Sequence, residues 1–298
     1  MQSKTLVAAL ALGLGTLAAH AAPTAVVEGV QMPAWIERGG IKEPLAAGME
    51  LRAADKIVTG ANSRILLRLA EGSQVKLGEN AQLSLDRLEQ RSENRQTFLD
   101  AALDVARGAF RFTTNLTAKL NSRRSVDIRV ATVTAGIRGT DIWGKSALDR
   151  DIVCLIEGSI SVQRESEQPV TMNQALQFYI APKAAGRPDP SRPVQLASVT
   201  SAQLTQWATE TDIAPGQGAV RQGGRWKVVA GSSPESGTAL ALYDKLREAG
   251  YAATLLPTGR AGAWDYQVRI AGLPSQDEAE GLARRLEAIT GMAGRTTR

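Results

Sequence analysis

The chain has one histidine and one cysteine in 298 residues, and aromatic side chains make up only 4% of it. Each scarcity excludes something. His20 lies at the head of the chain, in a stretch that reads as an export signal, so the remainder has no imidazole. That removes Ser-His-Asp and Cys-His nucleophile systems and every histidine-containing zinc site. A lone cysteine, Cys154, forms no internal disulfide. Within Ile152-Val153-Cys154-Leu155-Ile156 it reads as a small buried hydrophobe. With so few aromatics, aliphatic side chains must build most of the core. Beyond Leu17, no run approaches the roughly 18 apolar residues of a membrane-spanning helix. Two carboxylates suffice for glycoside hydrolysis, yet no pattern marks such a pair. The expectation is a non-enzymatic protein with no cofactor and no metal; a carboxylate-dependent glycan hydrolase is the lesser alternative.

What is present begins with charge. The formal net charge is +5, and basic proteins meet anionic partners. Here the cations are scattered, with Arg123-Arg124 and Arg284-Arg285 the notable doublets. This reads as a mixed surface rather than a nucleic-acid patch, so no nucleic-acid partner is expected. At the N-terminus, Lys4 precedes an apolar run from Leu6 to Leu17, and Ala19-His20-Ala21 gives a small-x-small cleavage pattern. Residues 1–21 therefore read as a cleaved signal peptide, with the mature chain starting at Ala22 in the periplasm. The mature form is expected to have no membrane span.

Residues 22–181 read as an all-β domain, solenoid-like or sandwich-like. Ile65, Leu67 and Leu69 alternate, Glu71-Gly72-Ser73 breaks the run, and Val75 with Leu77 and Leu83 with Leu85 follow at steps of about eight. The pattern lapses between Asp86 and Ala106, which reads as a solvated excursion or a short helix. Residues 182–224 read as a linker rich in Pro and Gly, unable to hold regular structure apart from one short helix over Ser201 to Thr211. Residues 225–298 repeat a strand–helix–strand plan. Trp226 to Ala230 and Tyr266 to Ile270 are strands. Ser233 with Pro234 opens the first helix, Ser275-Gln276-Asp277-Glu278 reads as a capping box for the second, and Gly250 and Gly291 stop them. The order is βαββαβ, an α+β module of ferredoxin-like topology with both helices on one sheet face. The chain is thus expected to be multidomain.

Three stretches of the first domain resemble the FecR family. Ala131-Thr132-Val133-Thr134-Ala135-Gly136-Ile137-Arg138-Gly139-Thr140-Asp141 is similar to its strand into a V-R-G-T-E/D turn. Cys154 to Val162, with Glu157-Gly158-Ser159, is similar to the hairpin that follows. Asp55 to Ser63 resembles an upstream G-D-x-I-x-T-G-x-x-S turn, with Ala54 in place of its glycine. The likeness spans about Val26 to Ile180 and implies an all-β, partly solenoid-like domain. Arg138 either pins the turn, by pairing with Asp141 or with carbonyl groups, or binds a ligand. Some members are membrane-spanning regulators that restrain a sigma factor. The sequence shows neither their cytosolic segment nor their membrane helix, so sigma-factor control is not carried over. A periplasmic domain for protein or glycan contact is implied, with an envelope protein as its partner; a regulator or signal-relay role is the alternative.

The last module resembles the SPOR family, with Trp226-Lys227-Val228-Val229-Ala230-Gly231-Ser232 and its echo Tyr266-Gln267-Val268-Arg269-Ile270-Ala271-Gly272-Leu273. The resemblance implies binding to peptidoglycan glycan strands that have lost their stem peptides, often at division septa. Val229 stands where a glutamine is common, and the last strand lacks an aromatic. From alternation alone, Gln267 and Arg269 face away from the helices. With Lys227, Ser232 and nearby Trp264 they form the expected glycan-binding set: long donors for hydroxyls and an indole for an apolar sugar face.

Overall fold

A computed structural model describes residues 24–93, 96–115, 122–137, 139–165, 167–260 and 262–298. The expected signal peptide and Arg138 lie outside the described residues. The fold is mostly β, with a C-terminal α+β module.

In the first domain, aliphatic alternation does what it implies. Val27, Ile36, Ile57, Ile65, Leu67, Val75, Leu77, Leu83 and Leu85 are buried in one continuous core. Ala25–Gln31 pairs antiparallel with Arg64–Leu69, which pairs with Gln74–Leu77. Further along, Val133–Ile137 pairs with Ser122–Val130 and with Ile160–Arg164. Among the described residues one pairing is parallel: Ser122–Val130 runs beside residues 97–105 of Gln96–Thr113. That parallel return is the solenoid-like feature.

The stretch from Asp86 to Ala106 is neither an excursion nor a helix. It is the body of a long hairpin, Gln82–Glu93 against Gln96–Thr113. The physical reason lies at Asp86. The register shifts between Leu85 and Arg87, so Leu85 opposes Leu103 while Leu88 opposes Ala101. A bulge of one residue flips the phase of alternation. A strict count of every second residue therefore loses Leu88, which is buried along with Leu99, Ala101 and Leu103. The charges Arg87, Glu89 and Arg91 occupy the other face, Arg87 pairing with Asp100 at 2.8 Å.

The expectation of an unstructured linker over 182–224 also fails. Gln177–Ala184 runs through its start, Gln195–Ser198 pairs with that strand, and Ala219–Arg221 pairs with Ala25–Gln31. The helix over Ser201–Ala208 (α1) forms as expected, capped by Thr200 in a reciprocal box with Gln203. It packs on the β-domain through Trp207, which stacks on buried Trp143 at 4.9 Å and meets Phe178 edge-on. Proline is tolerated in such strands where its missing donor is not needed.

Cys154 lies fully buried in the small cluster under α1, with Ala109, Trp143 and Val199. Burial, with a lesser contribution from Asp141, pushes its thiol up to about 12. The unfolded thiol titrates near its ordinary value of about 8.5. The folded value is the higher one, so this contribution to stability is fully present below about pH 8.5 and is lost as pH rises toward 12. The urea midpoint should fall more steeply between pH 8 and pH 10.5 in the parent chain than in Cys154→Ala. Parallel pH profiles for the two would overturn this.

In the last module the sheet runs in the order Thr254–Arg260, Ala263–Leu273, Trp226–Ser233, Arg295–Thr297. Two helices, Ser236–Glu248 (α2) and Gln276–Thr290 (α3), cover one face. Ala239 and Leu246 from α2, with Ala279, Leu282 and Leu286 from α3, meet Val228, Ala230, Val268 and Ile270. α2 starts later than expected: its N-cap is Glu235, and Ser233 ends the strand, its hydroxyl accepting from Glu235 N–H.

The two domains pack together. Ala34 N–H donates to Gly250 carbonyl, Ala252 N–H meets Met32 Sδ, and Arg285 donates to the carbonyls of Gln217 and Met32. Gly250 has φ +83°, and a Cβ there would lie 2.5 Å from the Trp35 ring. Both its left-handed turn and this contact require glycine.

Candidate functional site

The expected site residues lie on two strands, Trp226–Ser233 and Ala263–Leu273, and their cross-strand partners fix which face each occupies. Val228 opposes Ile270, and both are buried beneath the helices. Val229 opposes Arg269, which puts Arg269 on the outer face. Between Val229 and Gly231 the register shifts at Ala230. After that bulge Gly231 opposes Val268, and Ser232 opposes Gln267. Without the bulge, alternation from Val228 would turn Ser232 toward the helices. With it, Ser232 stands exposed beside Gln267.

The outer face therefore gathers Lys227, Ser232, Gln267 and Arg269. Their registered neighbours complete it: Thr254 opposite Arg269, Leu256 opposite Gln267, and Arg295 opposite Val229. Leu256 is partly exposed, so the face offers one apolar step among its donors. Lys227 Nζ donates to the Arg298 main-chain oxygen at 2.8 Å, which ties the last residue to the sheet. Thr254 Oγ1 donates to Arg269 carbonyl at 3.2 Å.

Trp264 is not on this face. The pairing of Thr254–Arg260 with Ala263–Leu273 is regular, with Trp264 opposite Gly259 and Tyr266 opposite Pro257. Trp264 thus shares its side with Tyr266 and Val268, the helix side, near the hairpin tip, where it is 46% exposed. The expected indole platform is absent from the donor face, and Leu256 takes the apolar place there. Sequence reasoning misses Leu256, because no pattern within Thr254–Arg260 marks an outward residue.

Arg269 is half-buried, and its Nε has no hydrogen-bond partner among the described residues. Beside it a pocket of about 280 Å³ opens between the domains. Its walls include Leu45, Ala46, Ala47 and Val220 from the β-domain side and Thr254, Arg269 and Ala271 from the sheet. In the β-domain a shallower groove of about 560 Å³ crosses the outward row Asp127, Gly136, Ser161 and Thr171. The described residues contain no cluster of three His, Cys, Asp or Glu placed to hold a metal ion, and no helix long and apolar enough to cross a membrane.

Comparison with known proteins finds two family models that match the chain. The family model described as FecR protein matches residues 55–161, and the one described as SPOR domain matches residues 222–294. Two crystal structures of a candidate anti-sigma factor from Parabacteroides distasonis ATCC 8503 are similar at 13% and 12% identity. They cover 79% of this chain and 92% and 91% of theirs, with TM-scores of 0.37 and 0.38. Superposition that loose carries no argument about function. No curated protein matches the chain.

Proposed function

We propose that this chain, which carries a FecR domain followed by a SPOR domain, is an exported, non-enzymatic envelope protein that binds peptidoglycan glycan strands on the outer face of its C-terminal sheet. The SPOR match supports peptidoglycan as the ligand. The observation that carries the placement is the bulge at Ala230, which sets Ser232 beside Gln267 and leaves Lys227 and Arg269 on the same helix-free face. Hydroxyl-rich sugars suit such donors, and each hydrogen bond contributes on the order of 1 kcal/mol. The β-domain offers its grooved outer sheet to an envelope partner, protein or glycan. The FecR match gives a second reading, a regulator that reports peptidoglycan state to that partner. Periplasmic location, and the septum as one place of action, belong to the same proposal.

The test uses purified sacculi and the full chain. Gln267→Ala combined with Ser232→Ala should weaken sacculus binding roughly thirty-fold, because two bonds of about 1 kcal/mol are lost. The melting temperature should hold, since outward side chains leave the core intact. Full binding by the well-folded double variant would place the glycan elsewhere. Solubilisation of sacculi that depends on a single Glu or Asp would point to the hydrolase instead.

A further inference from the structure

Gln195–Ser198 forms an outer edge of the β-domain. It pairs with residues 177–180 of Gln177–Ala184, and no other strand among the described residues pairs with it. Val199 N–H donates to the Leu176 carbonyl at 2.9 Å, so Val199, Ala197 and Gln195 turn their main-chain groups toward that neighbour. Alternation then leaves the N–H and C=O of Leu196 and Ser198 pointing off the edge. A bare edge is a template for another strand, and proteins guard such edges with charge, proline, shortness or a covering element. Among the described residues, other edges of the molecule are guarded in these ways. Ile41–Pro44 carries Lys42 and Glu43, Val170–Met172 follows Pro169, Thr254–Arg260 contains Pro257, and Ala219–Arg221 lies beside the C-terminal module. Gln195–Ser198 has none of these devices. Residues 193–209, which hold this strand and α1, contain no charged side chain, in a chain that is 22% charged. Beyond the signal-like head, no other charge-free run is as long. Leu196 adds an apolar group: it shares the inner side of the sheet with buried Tyr179, yet is itself 47% exposed.

A two-fold interface sets each residue near its axis against its own copy, so a charge there meets a like charge. A charge-free element therefore suits a second copy of itself, whereas a charged partner calls for the opposite sign. We infer that the β-domain self-associates through Gln195–Ser198, the two edges pairing antiparallel across a two-fold axis into one continuous sheet. Pairing centred on Ala197 sets Leu196 opposite the partner's Ser198, and Ser198 opposite the partner's Leu196. These are the residues whose main-chain groups face outward, so each such pair exchanges both of its hydrogen bonds. The two Leu196 side chains then stand diagonal to each other on the inner side, close enough to cover one another. α1 lies on the other side of the sheet, where Trp207 meets Phe178, the cross-strand neighbour of Ala197. Its mate comes onto that same side, and neither helix brings a charge. The pair joins two C-terminal modules in one particle, which raises retention on a repeating polymer without new contacts. Self-pairing stands whether or not that polymer is the ligand, because none of these residues lies in the C-terminal module.

Sedimentation equilibrium of the full chain over a range of concentrations tests this. The parent should follow a monomer–dimer equilibrium. Ser198→Pro removes an outward N–H and no strand hydrogen bond within the chain. By symmetry it breaks two bonds of the pair, so the dissociation constant should rise roughly thirty-fold or more. Leu196→Lys and Leu196→Glu should each be monomeric, since each sets like charges side by side at the axis. Mixed in equal amounts, these two variants should pair again, because opposite charges then meet. Thr171→Lys, on a different edge, should leave the dimer unchanged. Melting temperatures within a few degrees of the parent qualify each variant. If Ser198→Pro fails to fold, the Leu196 variants and their mixture decide, as they leave the main-chain donors in place. A parent that stays monomeric at its highest soluble concentration would overturn the inference. So would a dimer that survives both Leu196 variants, which would place the contact elsewhere. Monomeric Leu196 variants that do not pair when mixed would overturn the two-fold register. Growth beyond the dimer would mean head-to-tail association and would overturn the closed pair.

Discussion

Replacing Glu278 by alanine should destabilise the chain by about 3–5 kcal/mol, more than loss of an ordinary helix cap, because its carboxylate alone satisfies three backbone N–H groups of another segment. As the third residue of α3 it donates its own N–H to Ser275 Oγ at 3.2 Å. Its carboxylate turns away from the helix and accepts from Gly216, Gly218 and Ala219 N–H at 2.9, 2.7 and 2.8 Å. Gly281 lies one turn further along α3, so close to Gly216 that a Cβ would come within 2.1 Å of its carbonyl oxygen. The segment therefore rests directly on the helix backbone, and the three N–H groups have no easy path to water. Hydrogen bonds to a charged group contribute about 1.5–3 kcal/mol each, with partial compensation expected on removal. Glu278→Gln keeps the size but turns an amide NH2 toward donors, so it should recover less than half of the loss. Urea unfolding gives the free energies, and limited proteolysis gives the location. Cleavage between Ile213 and Gly224, slow in the parent, should become the first cut in Glu278→Ala. A loss below 1 kcal/mol, or first cuts elsewhere, would show that the clip does not hold the domains together.

Glu278 also shows how far sequence carries. Ser275 and Glu278 have the spacing of a capping box, and the Ser275 half forms. The reciprocal half does not, because a segment some sixty residues earlier offers three donors where the box offers one. Elements ruled by local periodicity were legible: the βαββαβ order, the apolar stripes of α2 and α3, the left-handed stop at Gly291, the aliphatic strands of the first domain. Elements ruled by phase shifts were not. The bulge after Leu85 hid a hairpin, and the bulge at Ala230 decided the orientation of Ser232. A bulge adds one residue without a composition signal of its own, so counting by twos cannot see it. The proline-rich segment misled for a related reason. Its prolines bar helix, yet they do not bar strands whose pairing leaves those positions without a required donor. Of the candidate site, Gln267 and Arg269 follow from alternation alone, whereas Ser232 reaches the same face only through the bulge and Trp264 was placed near them only by its position in the chain. The seam pocket was not legible, because Ala46, Ala47 and Val220 meet Arg269 only through tertiary packing.

The misread segment also holds the second large effect. Lys183, which falls just inside the stretch read as a linker, is buried in the β-domain with Asp151, at 4% and 0% side-chain exposure. Asp151 Oδ1 accepts from Lys183 Nζ at 2.8 Å, and Oδ2 accepts from Thr132 N–H and Oγ1–H at 3.0 and 2.6 Å. Lys183 also donates to Ser146 Oγ at 3.1 Å. Every carboxylate oxygen is thus occupied, as burial of a charge requires. Asp151→Ala should cost about 3–5 kcal/mol, since it leaves an ammonium with one hydroxyl for company and orphans Thr132 N–H. Lys183→Met should cost less, because the carboxylate keeps its two Thr132 donors and the methionine stem fills the lysine's path. The informative variant is Asp151→Asn with Lys183→Met. The amide oxygen still accepts from Thr132, and no charge remains buried. It should recover at least half of the Asp151→Ala loss, since replacing a whole buried pair is far milder than breaking one. Thermal and urea unfolding of the single and double variants give the coupling between the two positions. Additive losses would mean that the pair contributes no more than its separate hydrogen bonds. A strong coupling would mean that Lys183 anchors the end of the β-domain, and with it the path of the chain toward α1 and the C-terminal module.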